Sequence, residues 1–316
     1  MARRRFDAVL ALAASLAAGS LVAACDRAAM PGVATQPIIN GVDDAGDPAV
    51  VLLALGSADG SARPLCSGEV VSPHVILTAA HCIDPGTIGT TAPIAVFTGA
   101  KLDATATADQ FLVTVERHVV PTFGYNPDTG GDTDDLGVLV LRDATTIAPI
   151  PFNHLPLSRG FDGQAGRIVG YGLTSASDNA LITAGTRRQA PTALFAVNED
   201  DTLTLYDKSH SICNGDSGGP ALFMLDGSEQ VAGISREVYV GCPVDEGATD
   251  TRTDAWADFI DTQIAAVDGP LPLGGGACAT NADCAPYVCG DTSAGRMCER
   301  PCDPQASPES TCVGGT

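Results

Sequence analysis

The sequence predicts an all-β domain between Ile38 and about Asp268, and two observations support this fold class. Short runs of Val, Ile and Leu recur between clusters of Gly, Pro, Asn and Asp, which is the pattern of strands and turns. The spacing of these runs suits antiparallel barrels. Examples of the runs that we predict as strands are Val50–Leu55, Val70–Leu77, Ile94–Thr98, Phe111–Val115, Leu136–Leu141, Ile168–Tyr171, Thr202–Leu205 and Val231–Ile234.

The end of the domain is predicted to be a helix over residues 254–267, because apolar residues recur there at intervals of three and four. Residues 269–276 follow it and are composed of Gly, Pro and Leu, which is typical of a linker. The apolar residues that share one face of the helix are Trp256, Phe259, Ile260 and Ile264.

Residues 277–316 are predicted to form a small cysteine-rich module with six of the chain's 11 cysteines. It has no C-x-x-C pair and no histidine, so we expect no zinc site. Three disulfides would stabilise a module with so little core, in one of about 15 connectivities. Adhesion or substrate targeting and a protease-resistant cap both remain open as its role. The six cysteines are Cys278, Cys284, Cys289, Cys298, Cys302 and Cys312.

Residues 1–24 are predicted to be a signal peptide. Three arginines precede an apolar run, Ala8 to Ala24, which is too short and too rich in small residues for a spanning helix. The run ends in Val-Ala-Ala-Cys, which resembles the lipobox of bacterial lipoproteins and would place a lipid on Cys25. We therefore expect residues 25–37 to be a lipidated propeptide that holds an exported chain at the cell envelope. Ordinary cleavage without a lipid is the alternative.

The composition excludes some partners. The chain has 17 Lys and Arg against 38 Asp and Glu, a formal net charge of −21. Nucleic acid is therefore not expected as a partner, because phosphate binding needs clustered basic residues. The 11 cysteines indicate an oxidising compartment or a metal site, and because their number is odd, one cysteine needs its own explanation.

Three segments carry residue types suited to nucleophilic catalysis. Gly-Asp-Ser-Gly-Gly-Pro surrounds Ser217, and glycines allow backbone N–H groups to approach a developing oxyanion. A serine needs a base, and Ala-Ala-His-Cys offers His81. The imidazole needs a carboxylate to fix its tautomer, and Asp135 precedes an apolar strand, although the adjacent Asp134 is an alternative. The chain order is His, Asp, Ser.

These motifs resemble those of the chymotrypsin-like (trypsin-fold) serine peptidase family, from about Ile38 to Ile264. Further matches are Ile-Ile-Asn-Gly at Ile38, the Gly-Tyr-Gly of residues 170–172, and cysteines at positions of two family disulfides. The resemblance implies two antiparallel six-stranded β-barrels with the active site in the cleft between them, a C-terminal helix and no cofactor or metal. It also implies the pairs Cys66–Cys82 and Cys213–Cys242. With the tail paired internally, only Cys25 remains, at the lipobox position.

The same resemblance implies roles for single residues. Ser217 would be the nucleophile, His81 the base and Asp135 the carboxylate that orients it. The N–H groups of Gly215 and Ser217 would form the oxyanion hole. After cleavage by an activating protease, the new α-amino group of Ile38 would pair with Asp216, although Pro37 before it does not suit a trypsin-like activator.

The specificity pocket implied by the family departs from the trypsin pattern. Ser211 stands at the floor position, where trypsin-like members have Asp, so we expect an apolar residue before the scissile bond. Ser235, Arg236 and Glu237 replace the family's Ser-Trp-Gly, and Glu237 is expected to reshape the pocket mouth or attract a basic side chain. The sequence thus predicts a secreted serine endopeptidase with protein or peptide substrates. The alternative is an inactive secreted binding protein on the same fold.

Overall fold

The computed structural model describes residues 38–56, 62–126, 131–174, 183–238, 241–268, 288–292 and 295–299. The predicted signal peptide, the lipidated segment and the linker lie outside these ranges and remain predictions, as does most of the cysteine-rich module. Within the described ranges, no helix has the length and apolar character needed to cross a membrane.

The described residues are mostly strand, with short helices between them. In chain order the strands are β1 (Val42–Asp43), β2 (Val50–Leu55), β3 (Arg63–Val70), β4 (Val75–Thr78), β5 (Ile94–Phe97), β6 (Phe111–Val119), β7 (Gly124–Asn126), β8 (Gly131–Thr133), β9 (Gly137–Leu141), β10 (Ala165–Gly170), β11 (Arg188–Val197), β12 (Thr202–Tyr206), β13 (Pro220–Leu225), β14 (Ser228–Val238), β15 (Ala248–Arg252), β16 (Val288–Thr292) and β17 (Gly295–Glu299). The α-helices are α1 (Pro85–Ile88) and α2 (Ala257–Asp268).

Two closed antiparallel barrels of six strands each confirm the predicted fold class. The first barrel closes in the order β2-β3-β4-β9-β6-β5. The second closes in the order β11-β10-β13-β14-β15-β12, and the short β1 pairs with the outer side of β11. Closure leaves neither barrel with a free sheet edge apart from the short β1. The runs of Val, Ile and Leu in β2, β4 and β9 are almost entirely buried, which explains why the sequence pattern revealed them.

One predicted strand, Val70–Leu77, is wrong because it spans a hairpin turn. Strand β3 ends at Val70 and β4 begins at Val75, with Ser72 and Pro73 between them. Proline has no N–H to donate to a strand ladder and fixes its own φ, so the apolar run is interrupted there.

Helix α2 leaves the second barrel and packs against the first. Ile260 and Ile264 on its apolar face are fully buried and belong to the same core cluster as the strands of the first barrel. Its last residue, Asp268, accepts hydrogen bonds from Ser72 Oγ at 2.6 Å and from the backbone N–H of His74 at 3.2 Å. The end of the domain is therefore fixed to the turn between β3 and β4.

The described part of the cysteine-rich module is one antiparallel hairpin of β16 and β17. Its register places Cys289 directly opposite Cys298. Further down the chain, residues 300–316 lie outside the described ranges, so the module's disulfide connectivity remains a prediction.

Candidate active site

The histidine and the carboxylate meet because β4 and β9 are antiparallel neighbours. Thr78 at the end of β4 pairs with Gly137 at the start of β9, so the residues just beyond these ends lie side by side. His81 lies on the turn after β4, and Asp135 lies just before β9. The Asp135 carboxylate accepts hydrogen bonds from the His81 backbone N–H at 2.8 Å and from His81 Nδ1 at 2.6 Å.

The two side chains of this pair differ in burial. The side chain of Asp135 is fully buried, whereas that of His81 keeps 21% of its surface exposed. With Nδ1 donating to Asp135, the imidazole carries its lone pair on Nε2, which is the nitrogen that can accept a proton. The carboxylate in both of these hydrogen bonds belongs to Asp135; Asp134, the alternative in the sequence, precedes it with φ +50°.

Ser217 lies on a tight turn that only glycines permit. Gly215 has φ +96° and Gly218 has φ +79°, both in the left-handed region. A Cβ at Gly215 would lie 3.0 Å from the Cα of Gly172, and a Cβ at Gly218 would collide with Thr78. The turn is therefore held against the first barrel more closely than any larger residue allows.

The side chain of Asp216, the residue before Ser217, is buried. Its carboxylate accepts hydrogen bonds from the backbone N–H groups of Cys213 and Gly172, each at 2.8 Å, and from that of Ile38. Burial raises the pKa of Asp216 to about 7, although these three N–H groups lower it. Ile38 itself is fully buried. The structure thus brings together the two residues that the sequence analysis expects to form the activation ion pair.

The expected specificity residues differ in their burial and in their contacts. Ser235 is buried, and its backbone exchanges hydrogen bonds with Gly218 and Gly219 at 2.7 and 2.9 Å. Ser211 is buried beside a small cavity, and among the described residues its Oγ has no hydrogen-bond partner. Glu237 is exposed, two residues beyond Ser235 on the same strand.

Both expected disulfides of the domain are present. Cys66 is bonded to Cys82, and Cys213 is bonded to Cys242. The donor atoms of Cys66, Cys82 and His81 lie within 4.8 Å of one another. Because the two sulfurs are bonded to each other, they are not thiolates, and this group is not a metal centre.

Some residues around the site carry no sequence signal. Thr251 Oγ1 donates to the Asp135 carbonyl oxygen at 3.1 Å, although it lies 116 positions further along the chain. Ser67 contacts the Ser217 turn from the first barrel through its N–H group, at 2.8 Å from the Ser217 carbonyl oxygen. Contacts of this kind depend on how the two barrels pack against each other, and a short sequence motif does not predict that packing.

Comparison with known proteins agrees with this geometry. The family model described as trypsin matches residues 39–260. The chain is 27% identical to chymotrypsin-like elastase family member 1 of Macaca fascicularis over 225 residues, which cover 65% of this chain and 81% of the relative. It is 29% identical to brachyurin of Leptuca pugilator over 210 residues, which cover 63% and 87%.

A solved structure extends the likeness to the fold. Neuropsin, a serine protease expressed in the limbic system of mouse brain, matches with a TM-score of 0.58 at 20% identity. The match covers 72% of this chain and all of that one. The fold and site define a trypsin-like serine protease domain with two disulfides. The chain belongs to the trypsin family. Membership of a protease family implies protein or peptide substrates, and the disulfides fit an exported protein.

Proposed function

We propose that this protein is a serine endopeptidase in which Ser217, His81 and Asp135 form the catalytic triad. The observation that carries the proposal is the buried Asp135 carboxylate, which accepts two hydrogen bonds from His81 at 2.6 and 2.8 Å. This arrangement fixes the tautomer and orientation of the imidazole and stabilises the imidazolium that forms during the reaction.

In the acylation step, Ser217 Oγ attacks the carbonyl carbon of the scissile bond while His81 Nε2 takes its proton. The carbonyl π electrons move onto the oxygen, which the N–H groups of Gly215 and Ser217 stabilise. When the C–N bond breaks, His81 gives its proton to the leaving amine. Water then attacks the acyl-enzyme with the same base, and the carboxylic acid product and free Ser217 are released.

The proposal includes activation by cleavage between Pro37 and Ile38. The new α-ammonium of Ile38 takes the place of the peptide N–H beside Asp216. A buried carboxylate with a cation next to it is far more stable in its charged form than one that only amides contact. The pair then holds the turn that carries Gly215 and Ser217 in the productive arrangement.

We further propose that the chain is exported and held at the cell envelope by a lipid on Cys25. Cleavage before Ile38 would then release the protease domain from its anchor, with the cysteine-rich module attached for adhesion or as a protective cap. The intact mass of the active protein tests this step, because an active form that still carries the lipid contradicts the release.

An apolar residue is proposed before the scissile bond. The support is the neutral Ser211, whose buried hydroxyl carries no charge to pair with a basic side chain. In a panel of peptide substrates that differ only at this position, we expect Phe or Leu to give a higher kcat/KM than Arg by at least tenfold. Fast cleavage after Arg with none after Phe or Leu would show that Glu237 or another acidic group determines the preference instead.

A serine-directed peptidyl phosphonate tests the proposed activity directly. We expect stoichiometric labelling of Ser217 in a chain that begins at Ile38, and no measurable labelling in the His81→Ala variant of that chain. The same chain beginning at Pro37 is the matched control for activation, and we expect it to be labelled at least tenfold more slowly. If a chain verified to begin at Ile38 is not labelled, the inactive binding protein is the better interpretation.

A further inference from the structure

Ser67 lies where the first barrel contacts the turn of the nucleophile, and both its N–H group and its hydroxyl donate to that turn. It is fully buried in β3, directly after Cys66. Its N–H donates to the carbonyl oxygen of Ser217 at 2.8 Å, and its Oγ donates to the carbonyl oxygen of Gly215 at 2.9 Å. The same Oγ accepts the backbone N–H of Tyr171 at 2.9 Å.

The two bonds to the turn fix both of its ends. Holding the Gly215 carbonyl fixes the peptide plane between Gly215 and Asp216, and holding the Ser217 carbonyl fixes the plane that follows Ser217. The N–H of Ser217 belongs to the single peptide plane between these two. Gly215 needs such a restraint more than other residues, because a glycine at φ +96° has many accessible conformations.

Ser67 is also connected to the segment of the first barrel that carries His81. Its carbonyl oxygen accepts a hydrogen bond from Thr78 Oγ1 at 2.8 Å, and Thr78 ends the strand that leads to His81. The preceding residue, Cys66, is bonded to Cys82, which follows His81. The hydroxyl of Ser67 therefore connects the Gly215 carbonyl to the part of the first barrel that carries the base.

We propose that the Ser67 hydroxyl is a positioning residue for the oxyanion hole. It touches neither substrate nor reacting atoms. It holds the Gly215 carbonyl so that the N–H groups of Gly215 and Ser217 remain aimed at the oxygen of the tetrahedral intermediate. The inference rests on the proposed peptidase function and assigns a role to a side chain that the triad does not use.

The test compares Ser67→Ala with Thr114→Val, both in the chain that begins at Ile38. Thr114 is also buried, and its Oγ1 donates to the Ile94 carbonyl at 2.8 Å inside the first barrel. Both variants lose a buried hydroxyl, so both are expected to lower the midpoint of urea unfolding. Only Ser67→Ala is expected to lower kcat, by at least tenfold, with KM changed by less than twofold.

The inhibition constant of an inhibitor that forms a tetrahedral adduct separates the two roles, because a purely structural role of Ser67 would leave it unchanged. The inhibition constant of a peptidyl aldehyde should rise in Ser67→Ala by about the same factor as kcat falls, because its adduct carries the oxyanion. The constant of a non-covalent product peptide should stay within twofold. Should Ser67→Ala fail to fold, Ser67→Gly removes the same hydroxyl and is expected to show the same pattern.

Failure of this inference differs from failure of the proposed function. If phosphonate labels the unsubstituted chain at Ser217 but the kcat of Ser67→Ala matches that of Thr114→Val, the positioning role is wrong and the peptidase proposal stands. A loss of kcat without weaker aldehyde binding also overturns the positioning role. If the unsubstituted chain is not labelled, both proposals fail together.

Discussion

Replacing Asp135 by Asn is expected to reduce kcat by roughly 10⁴-fold near neutral pH. The amide preserves the shape of the carboxylate, but it presents an N–H₂ group that favours the wrong imidazole tautomer and cannot stabilise the imidazolium. The loss should be large because Asp135 is fully buried and makes two hydrogen bonds to His81. Steady-state kinetics on the chain that begins at Ile38 measures the effect.

Asp134→Asn is the matched control for this substitution. Asp134 has φ +50°, a conformation that Asn adopts readily, so the backbone should not be disturbed. We expect its kcat to stay within about threefold of the original value, because a partly exposed carboxylate outside the triad contributes only weakly. Equal losses in the two variants would contradict the assignment of Asp135 as the orienting carboxylate.

Asp250→Asn is expected to stabilise the protein increasingly as the pH rises from about 4 to about 8. Among the described residues, neither carboxylate oxygen of Asp250 has a hydrogen-bond partner, and the side chain is fully buried. It lies opposite Leu203 in the second barrel. Burial raises the pKa of Asp250 to about 8, so the group is protonated in the folded protein at neutral pH.

The sign of this dependence follows from proton binding. Between the ordinary pKa of 3.8 and about 8, the folded state holds a proton that the unfolded state has lost, so raising the pH favours unfolding. The stability gained from protonated Asp250 is fully present below pH 3.8. It falls by more than about 1 kcal/mol for each pH unit between 3.8 and about 8, and it is lost above about 8. An amide does not titrate, so the stability of the variant relative to the original chain should rise by on the order of 5 kcal/mol between about pH 4 and pH 8.

Urea unfolding of both proteins between pH 4 and pH 9 measures this difference, since the titrating groups that do not interact with Asp250 cancel. Glu69 is a second case of the same kind, because burial and the neighbouring charge of Asp250 raise its pKa well above its ordinary range. Glu69→Gln is therefore expected to shift the curve in the same direction. Parallel stability curves for Asp250→Asn and the original chain would contradict the burial of an unpartnered carboxyl group.

The fold was predictable where strands are buried on both faces. β2 and β9 appear in the sequence as unbroken apolar runs, because almost every side chain in them faces either a barrel interior or a covering element. β11 and β15 give no continuous apolar run, since Arg, Gln, Pro, Thr and Asp interrupt them. Their places in the barrel are determined by pairing with distant strands, and no local periodicity reports such pairing.

The residues of the candidate site were likewise only partly predictable from the sequence. Ser217, His81 and Asp135 lie in short motifs because the turn, the histidine and the strand entry each constrain several neighbouring residues. The contribution of Ser67 could not be read from the sequence, because a serine after a cysteine in a strand has no distinctive pattern. Its importance arises only from the docking of one barrel on the other.

The clamp at the end of α2 has a mechanical consequence for the intact chain. Asp268 is the last residue of the helix, and Ser72 and His74 hold its carboxylate on the first barrel. Any pull or thermal motion arriving from the sequence beyond Asp268 meets this anchor before it reaches the helix. A force transmitted through the chain beyond Asp268 is therefore expected to act on the first barrel through Ser72 and His74 as well as on the helix.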